Sequence, residues 1–235
     1  MDMICRRLRL SSEVREVMRN GNPANDYLAS VLSNEVKHRD DTRTARYIKA
    51  ARFPEPKVFD GFIFDDVIFP ESVSRDYFLD GVFLSDKRGV FLYGPPGTGK
   101  THFAIATGIR ACERGLKTRF WRAYDLCEAL KSAASRNEFG KFQAVFKRLD
   151  CLIIDEFGFY PGDSEAISLL FELFCSSVYQ KVGVVFTSNL SYDEWIVRAQ
   201  ETKMADALID RINGMSHVIG FGGESHRYSV SAMTG

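Results

Sequence analysis

Midway along the chain, Gly94-Pro95-Pro96-Gly97-Thr98-Gly99-Lys100-Thr101 matches the pattern G-x-x-x-x-G-K-[ST] at every position. Each residue type answers a need of a bound triphosphate. The glycines let backbone N–H groups curl around phosphate oxygens with no Cβ in the way. Lys100 brings a point charge to the β and γ phosphates, and the Thr101 hydroxyl is a ligand for Mg²⁺. Further on, Cys151-Leu152-Ile153-Ile154-Asp155-Glu156 is an apolar run that ends in two carboxylates. With a phosphate loop nearby, Asp155 is placed to hold Mg²⁺, directly or through water, and Glu156 to polarise a water against the γ phosphate. A small-molecule kinase must keep water out, so the Asp-Glu pair favours hydrolysis over transfer to an acceptor. Thr187-Ser188-Asn189 offers a third polar tip that could reach the γ phosphate or its attacking water, although Ser-Asn-x-Ser is equally good turn chemistry.

These groups work together only if strands end side by side. From Gly89 onward the pattern alternates strand and helix, which predicts an α/β domain with a parallel sheet. The strands expected are Val90–Tyr93, Thr118–Arg122, Leu152–Asp155, Val182–Thr187 and His217–Ile219. Helices are expected over Lys100–Arg114, Tyr124–Ser135, Phe139–Leu149, Ser164–Gln180 and Met204–Ile212, with a capping box at Ser191 and Glu194. The phosphate loop then lies between a strand and a helix whose positive end faces the phosphates. A chance Gly/Pro turn ending in Lys-Thr has no need of that context. In a parallel sheet the carboxyl ends of the strands face the ligand crevice, which puts Asp155 there too.

Upstream, residues 24–52 read as helix, with Tyr27, Leu28, Val31, Leu32 and Val36 spaced for one apolar face. Pro54 and Pro56 mark a linker, dividing the chain into a basic helical segment, 1–56, and the α/β domain, 57–235. The aromatic stretch around Phe59, Phe62, Phe64 and Phe69 has no assignable periodicity. Lys+Arg and Asp+Glu balance at 31 each over the 235 residues, but 1–52 holds eleven basic residues against seven acids, the mark of a basic arm. Five scattered cysteines (Cys5, Cys112, Cys127, Cys151, Cys175), with no C-x-x-C, fit buried thiols in a reducing compartment better than disulfides or a zinc site. The first ten residues lack a signal-peptide pattern and no apolar run reaches the length of a membrane span, so the expected location is the cytoplasm.

The order of these features resembles that of the AAA+ ATPases, and within them the IstB/DnaC-like branch of transposition helpers and helicase loaders. The resemblance is carried by Tyr47–Pro54, Asp60–Phe64, Gly94–His102, Leu152–Gly158, Leu170–Leu173, Thr187–Leu190 with Glu194-Trp195, Ala207–Ile212 and Gly223-Glu224-Ser225. It is closest to the IstB pattern. It implies a P-loop NTPase of AAA+ type, preceded by a small helical domain. Residues 212–235 are too few for the full helical lid of larger relatives. It also implies that Gly94, Pro95, Pro96, Gly97, Thr98, Gly99, Lys100, Thr101 and His102 bind ATP, with Mg²⁺ on Thr101 and Asp155. Asn189 becomes the γ-phosphate sensor, and Arg211 an arginine finger given to a neighbouring subunit's ATP. A finger supplied in trans implies a homo-oligomer with sites at subunit interfaces. Two departures stand out: Val178-Tyr179-Gln180 where relatives carry Arg-Tyr-Glu, and His226 before Arg227 where a tyrosine commonly stands. Arg227 is thus a candidate for either a sensor or a surface role.

The partners implied are duplex DNA, bound with little sequence preference, and a transposase; a replicative helicase is the alternative. Two basic regions could meet DNA: the N-terminal arm, and Arg122, Lys131, Arg136, Lys141, Lys147 and Arg148 between the second and third strands of the α/β domain. Charges of this kind on amphipathic helices equally make an ordinary solvated face.

Overall fold

The computed structural model describes residues 2–8, 10, 23–158, 164–190, 194, 203–223 and 225. They fall into two compact units, Met1–Arg46 and Tyr47–Gly235. The second unit therefore takes in 47–56, which the proline-based boundary groups with the helical segment.

In the first unit lie α1 (Asp2–Arg7) and most of α2 (Pro23–Ala51). Proline opens α2, where its missing N–H leaves no bond unmade, and Asp26 sits in the first turn beside the positive helix end. Tyr27, Leu28 and Val31 are exposed, so the face expected to be buried lies open there. Ion pairs join Arg7 to Asp40 at 2.6 Å and Arg39 to Glu35 at 2.6 Å. Exposed pairs of this kind contribute at most about 1 kcal/mol each.

Among the described residues the second unit has six strands: β1 (Val67–Ile68), β2 (Gly89–Tyr93), β3 (Thr118–Arg122), β4 (Cys151–Asp155), β5 (Gly183–Ser188) and β6 (Ser216–Phe221). Their order is β1-β6-β2-β5-β4-β3. β2 to β6 run parallel, as the alternating pattern requires, and β1 adds an antiparallel edge on β6. The chain leaves β2 for β3 at the far edge, and returns on the other side of β2 only with β6. The order thus reverses beside β2, and a crevice opens there at the carboxyl ends of the strands.

Every residue of β4 and β5 is buried, the condition of a parallel strand covered on both faces. Successive side chains go to opposite layers: Leu152, Ile154, Val184 and Phe186 join Leu126, Leu130 and Phe174 on one side. Ile153 and Val185 join Phe103, Ile105 and Val90 on the other. The covering helices are α3 (Arg75–Leu79), α4 (Val82–Ser85), α5 (Lys100–Glu113), α6 (Ala123–Ser135), α7 (Phe139–Phe146), α8 (Ser164–Leu173) and α9 (Lys203–Met215).

One expected helix is corrected. The helix expected over Ser164–Gln180 is α-helical only to Leu173; Phe174–Val178 is a π turn, closed by Tyr179 N–H donating to the Phe174 carbonyl at 2.8 Å. The wider turn brings both Phe174 and Val178 into the core. The unassigned aromatic stretch proves to be core material, since Phe59, Phe62 and Phe69 ring Phe103 at centroid distances of 5.1, 6.1 and 6.3 Å. Edge and tilted contacts between rings leave no sequence periodicity. The five cysteines are free thiols; burial raises the pKa of Cys112 and Cys151.

Gly94 tests how closely the phosphate loop is fitted to this sheet. It has φ +146, and a Cβ there would collide with the backbone carbonyl of Phe221 on β6. Because backbone on a central sheet cannot give way, Gly94→Ala is expected to destabilise the protein by about 3 kcal/mol or more. Chemical denaturation of the two proteins measures the difference.

Candidate active site

The loop 94–99 leaves β2 and enters α5 at the reversal point. Gly99 takes φ +96 as the residue before the helix, and the first turn of this 14-residue helix presents its unpaired N–H groups to the crevice. The Lys100 side chain folds back over the loop, its Nζ donating to the carbonyls of Gly94 at 2.7 Å and Pro95 at 2.6 Å. Thr98 Oγ1 also donates to the Pro95 carbonyl, at 2.9 Å. The loop is thereby cinched by its own side chains around an open ring of backbone donors.

Across the loop stands the acidic end of β4. Asp155 is only 4% exposed, and its Oδ1 accepts hydroxyl bonds from Thr101 at 2.9 Å and Thr187 at 2.6 Å. Its Oδ2 has no protein partner among the described residues. The pairing of Thr101 with Asp155 joins the phosphate loop to the acid strand, and a hydroxyl next to a carboxylate is the oxygen donor set that Mg²⁺ takes. Glu156 follows in the left-handed region, φ +57, as the chain turns off the strand.

The cleft between these groups has a volume of about 780 Å³. Pro96, Gly97, Gly99, Lys100, Thr101 and His102 form its floor, with Glu156, Thr187 and Asn189 along one wall. The fold therefore brings Lys100, Thr101, Glu156 and Asn189 to one cleft, with Asp155 bonded to Thr101 beside it. Arg211 is not among the lining residues. Its guanidinium donates to the Ala207 carbonyl of its own helix at 3.0 Å and lies 5.1 Å from the centre of the Phe171 ring.

Sequence reasoning misses a further part of the lining, a wall formed by Pro54, Glu55 and Lys57. His102 Nε2 meets the Val58 carbonyl at 2.7 Å and its ring packs edge-on to Phe62 at 5.1 Å, which fastens this segment beside the loop. In sequence the pair of prolines reads as a linker; only the three-dimensional return of the chain shows it as a wall. Arg122 groups by sequence with a basic surface, yet it lines the same cleft as Glu156.

Of the other basic candidates, Lys131 pairs with Glu128 at 2.5 Å and Lys141 with Glu138 at 3.1 Å. Lys147 and Arg148 form no ion pair among the described residues. Ser191, Trp195, Glu224 and Arg227, and the question of a lid, lie outside the described residues. Among the described residues no helix is long and apolar enough to cross a membrane.

Residues 11–233 match the family of IstB-like ATP binding proteins. A protein named for ATP binding in insertion sequence IS232, from Bacillus thuringiensis subsp. berliner, is 30% identical over 203 residues, covering 85% of this chain and 80% of the relative. Further relatives at 31% and 30% identity are named for insertion sequences as well. Among solved structures, the DnaC helicase loader superposes with a TM-score of 0.53 at 21% identity, over 75% of this chain and 99% of that one. The replication initiator DnaA bound to AMPPCP and single-stranded DNA gives 0.56 at 21% identity, over 77% of this chain and 55% of that one, so the match spans about half of DnaA. At such identities the structural likeness concerns the fold, which is of the AAA+ P-loop type.

Proposed function

The chain belongs to the family of IstB-like ATP binding proteins, and on that premise we propose that it is an ATPase that assembles on duplex DNA and recruits or stimulates a transposase, with hydrolysis as the timing step. One observation carries the hydrolytic part. The Thr101–Asp155 hydrogen bond joins the phosphate loop to the acid strand, and the next residue, Glu156, lines the cleft with Lys100.

The loop N–H groups and the α5 terminus hold the β and γ phosphates, and Lys100 exchanges its loop carbonyls for phosphate oxygens. Thr101 and Asp155 are the residues that would hold Mg²⁺, which when bound neutralises charge between the β and γ phosphates. Glu156 accepts a proton from the attacking water, and Asn189, on the same wall, orients that water or the γ phosphate. Arg211, which does not line its own cleft, completes the site of a neighbouring subunit, which makes a homo-oligomer the active form. His102 and the wall at Pro54, Glu55 and Lys57 are the candidate nucleoside pocket.

The insertion-sequence names of the relatives favour a transposase over a replicative helicase as the partner. DNA contact is assigned to the N-terminal arm and to charges such as Lys147 and Arg148, which form no ion pair among the described residues. Such binding rests on counterion release. Affinity for duplex DNA is expected to fall ~10³-fold or more between 50 and 200 mM salt, with little dependence on sequence. Anisotropy with two unrelated labelled duplexes measures both. Phosphate release with and without duplex DNA tests the whole reading: stimulation is expected, and a protein that neither binds DNA nor responds to it would overturn the DNA-assembly part.

A further inference from the structure

Thr187 stands near the end of β5, 2% exposed, and bonds to three consecutive residues at the end of β4. Its hydroxyl donates to Asp155 Oδ1 at 2.6 Å and accepts from the Glu156 N–H at 2.9 Å. Its carbonyl accepts from the Phe157 N–H at 2.7 Å. Between the first and last of these bonds sits Glu156, at φ +57, a conformation that L-residues with a Cβ disfavour.

The strand register explains how one residue reaches all three. β4 and β5 pair in parallel up to Ile154 and Phe186, so the next residues, Asp155 and Thr187, part company just where β4 turns away. A hydroxyl has one proton to give. That of Thr187 is committed to Asp155 while its lone pair takes the Glu156 N–H, so the side chain is spent on the acid strand and does not donate toward a phosphate. Asn189 and Thr187 both line the cleft, but the Thr187 hydroxyl is bonded to the acid strand.

We infer that Thr187 is the positioning residue of the hydrolytic site, holding the Glu156 backbone in its left-handed turn so that the carboxylate is aimed into the cleft. The inference rests on the hydrolytic reading above. The same hydroxyl ties Asp155 Oδ1, which also receives Thr101, to β5, so the phosphate loop, the acid strand and the strand just before Asn189 share one carboxylate oxygen. A general base acts only from the correct place, and an error of about 1 Å costs ~10²-fold in rate.

Thr187→Val keeps the shape and β-branching that a buried strand favours, while leaving the Glu156 N–H without its acceptor and Asp155 Oδ1 with the Thr101 donor alone. ATP turnover is expected to fall ~10²-fold, and affinity for a fluorescent ATP analogue to change by less than about threefold. Thr187→Ser, which retains the hydroxyl, is expected to restore turnover. Since the inference assigns the loss to Glu156 and not to the Asp155 bond, the double variant Thr187→Val/Glu156→Gln is expected to be no slower than Glu156→Gln alone, whereas a loss exerted through Asp155 would make it slower. Circular dichroism melts establish that each variant is folded; if Thr187→Val is not, Thr187→Ala removes the same hydroxyl. A valine or alanine variant at wild-type rate, a serine variant as slow as valine, or losses that multiply in the double variant would overturn the inference. Wild-type protein that releases no phosphate, with or without DNA, overturns the hydrolytic reading itself and is distinguished before any variant is compared.

Discussion

Lys100→Ala is expected to reduce ATP turnover by at least about a hundredfold, the scale on which one preorganised electrostatic donor contributes to a developing anion. The side chain is 5% exposed and held over the loop by the Gly94 and Pro95 carbonyls. Alanine would therefore remove both the cation and the clasp that closes the loop. Both losses strike phosphate binding, so ATP affinity is expected to fall together with the rate, whereas Thr187→Val separates the two. A fluorescent nucleotide titration beside a phosphate-release assay distinguishes these patterns. A Lys100→Ala protein that turns over ATP at the wild-type rate would remove the loop from the chemistry.

Arg211→Ala is expected to act differently: turnover drops by ~10³-fold, in the range for arginine fingers, with the affinity of each subunit for ATP nearly unchanged. The reason is its place outside the cleft of its own chain. Arg211 is bonded to its own helix and lies against Phe171, outside the cleft that holds Lys100 and Glu156. If the guanidinium serves a neighbour, two inactive proteins should rescue one another. In a head-to-tail assembly of equal parts Lys100→Ala and Arg211→Ala, roughly a quarter of the interfaces pair an intact loop with an intact arginine. Phosphate release by the mixture should then exceed the sum of the two proteins alone. A mixture no more active than its parts would confine each site to one chain.

How much of the site is legible in the sequence depends on how local its information is. Gly94–Thr101 is a contiguous pattern, because backbone wrapped round a phosphate dictates residue type at each step; its place between β2 and α5 follows from adjacent apolar periodicity. Asp155 and Glu156 are readable because a fully buried strand is an uninterrupted apolar run, and the charges that end it stand out. The wall at Pro54, Glu55 and Lys57 is not readable, since nothing local marks a segment that approaches the loop through such contacts as those of His102 with Val58 and Phe62. The aromatic stretch escapes assignment for a related reason: ring-to-ring packing on Phe103 imposes no period on the chain.

The sequence by itself determined that a phosphate loop precedes a helix, that two carboxylates end a buried strand, and that the domain alternates strand and helix. Each of these is a constraint between neighbours along the chain, enforced by sterics, helix capping and the alternation of side chains across a sheet. Tertiary structure decided which of those ends meet. The order β6-β2-β5-β4 sets Thr187 beside Asp155, puts Thr101 within hydrogen-bonding distance of the same oxygen, brings Arg122 to the cleft and keeps Arg211 out of it. Such pairings join residues tens of positions apart, and they exist only once burial of two apolar layers has fixed the strands side by side.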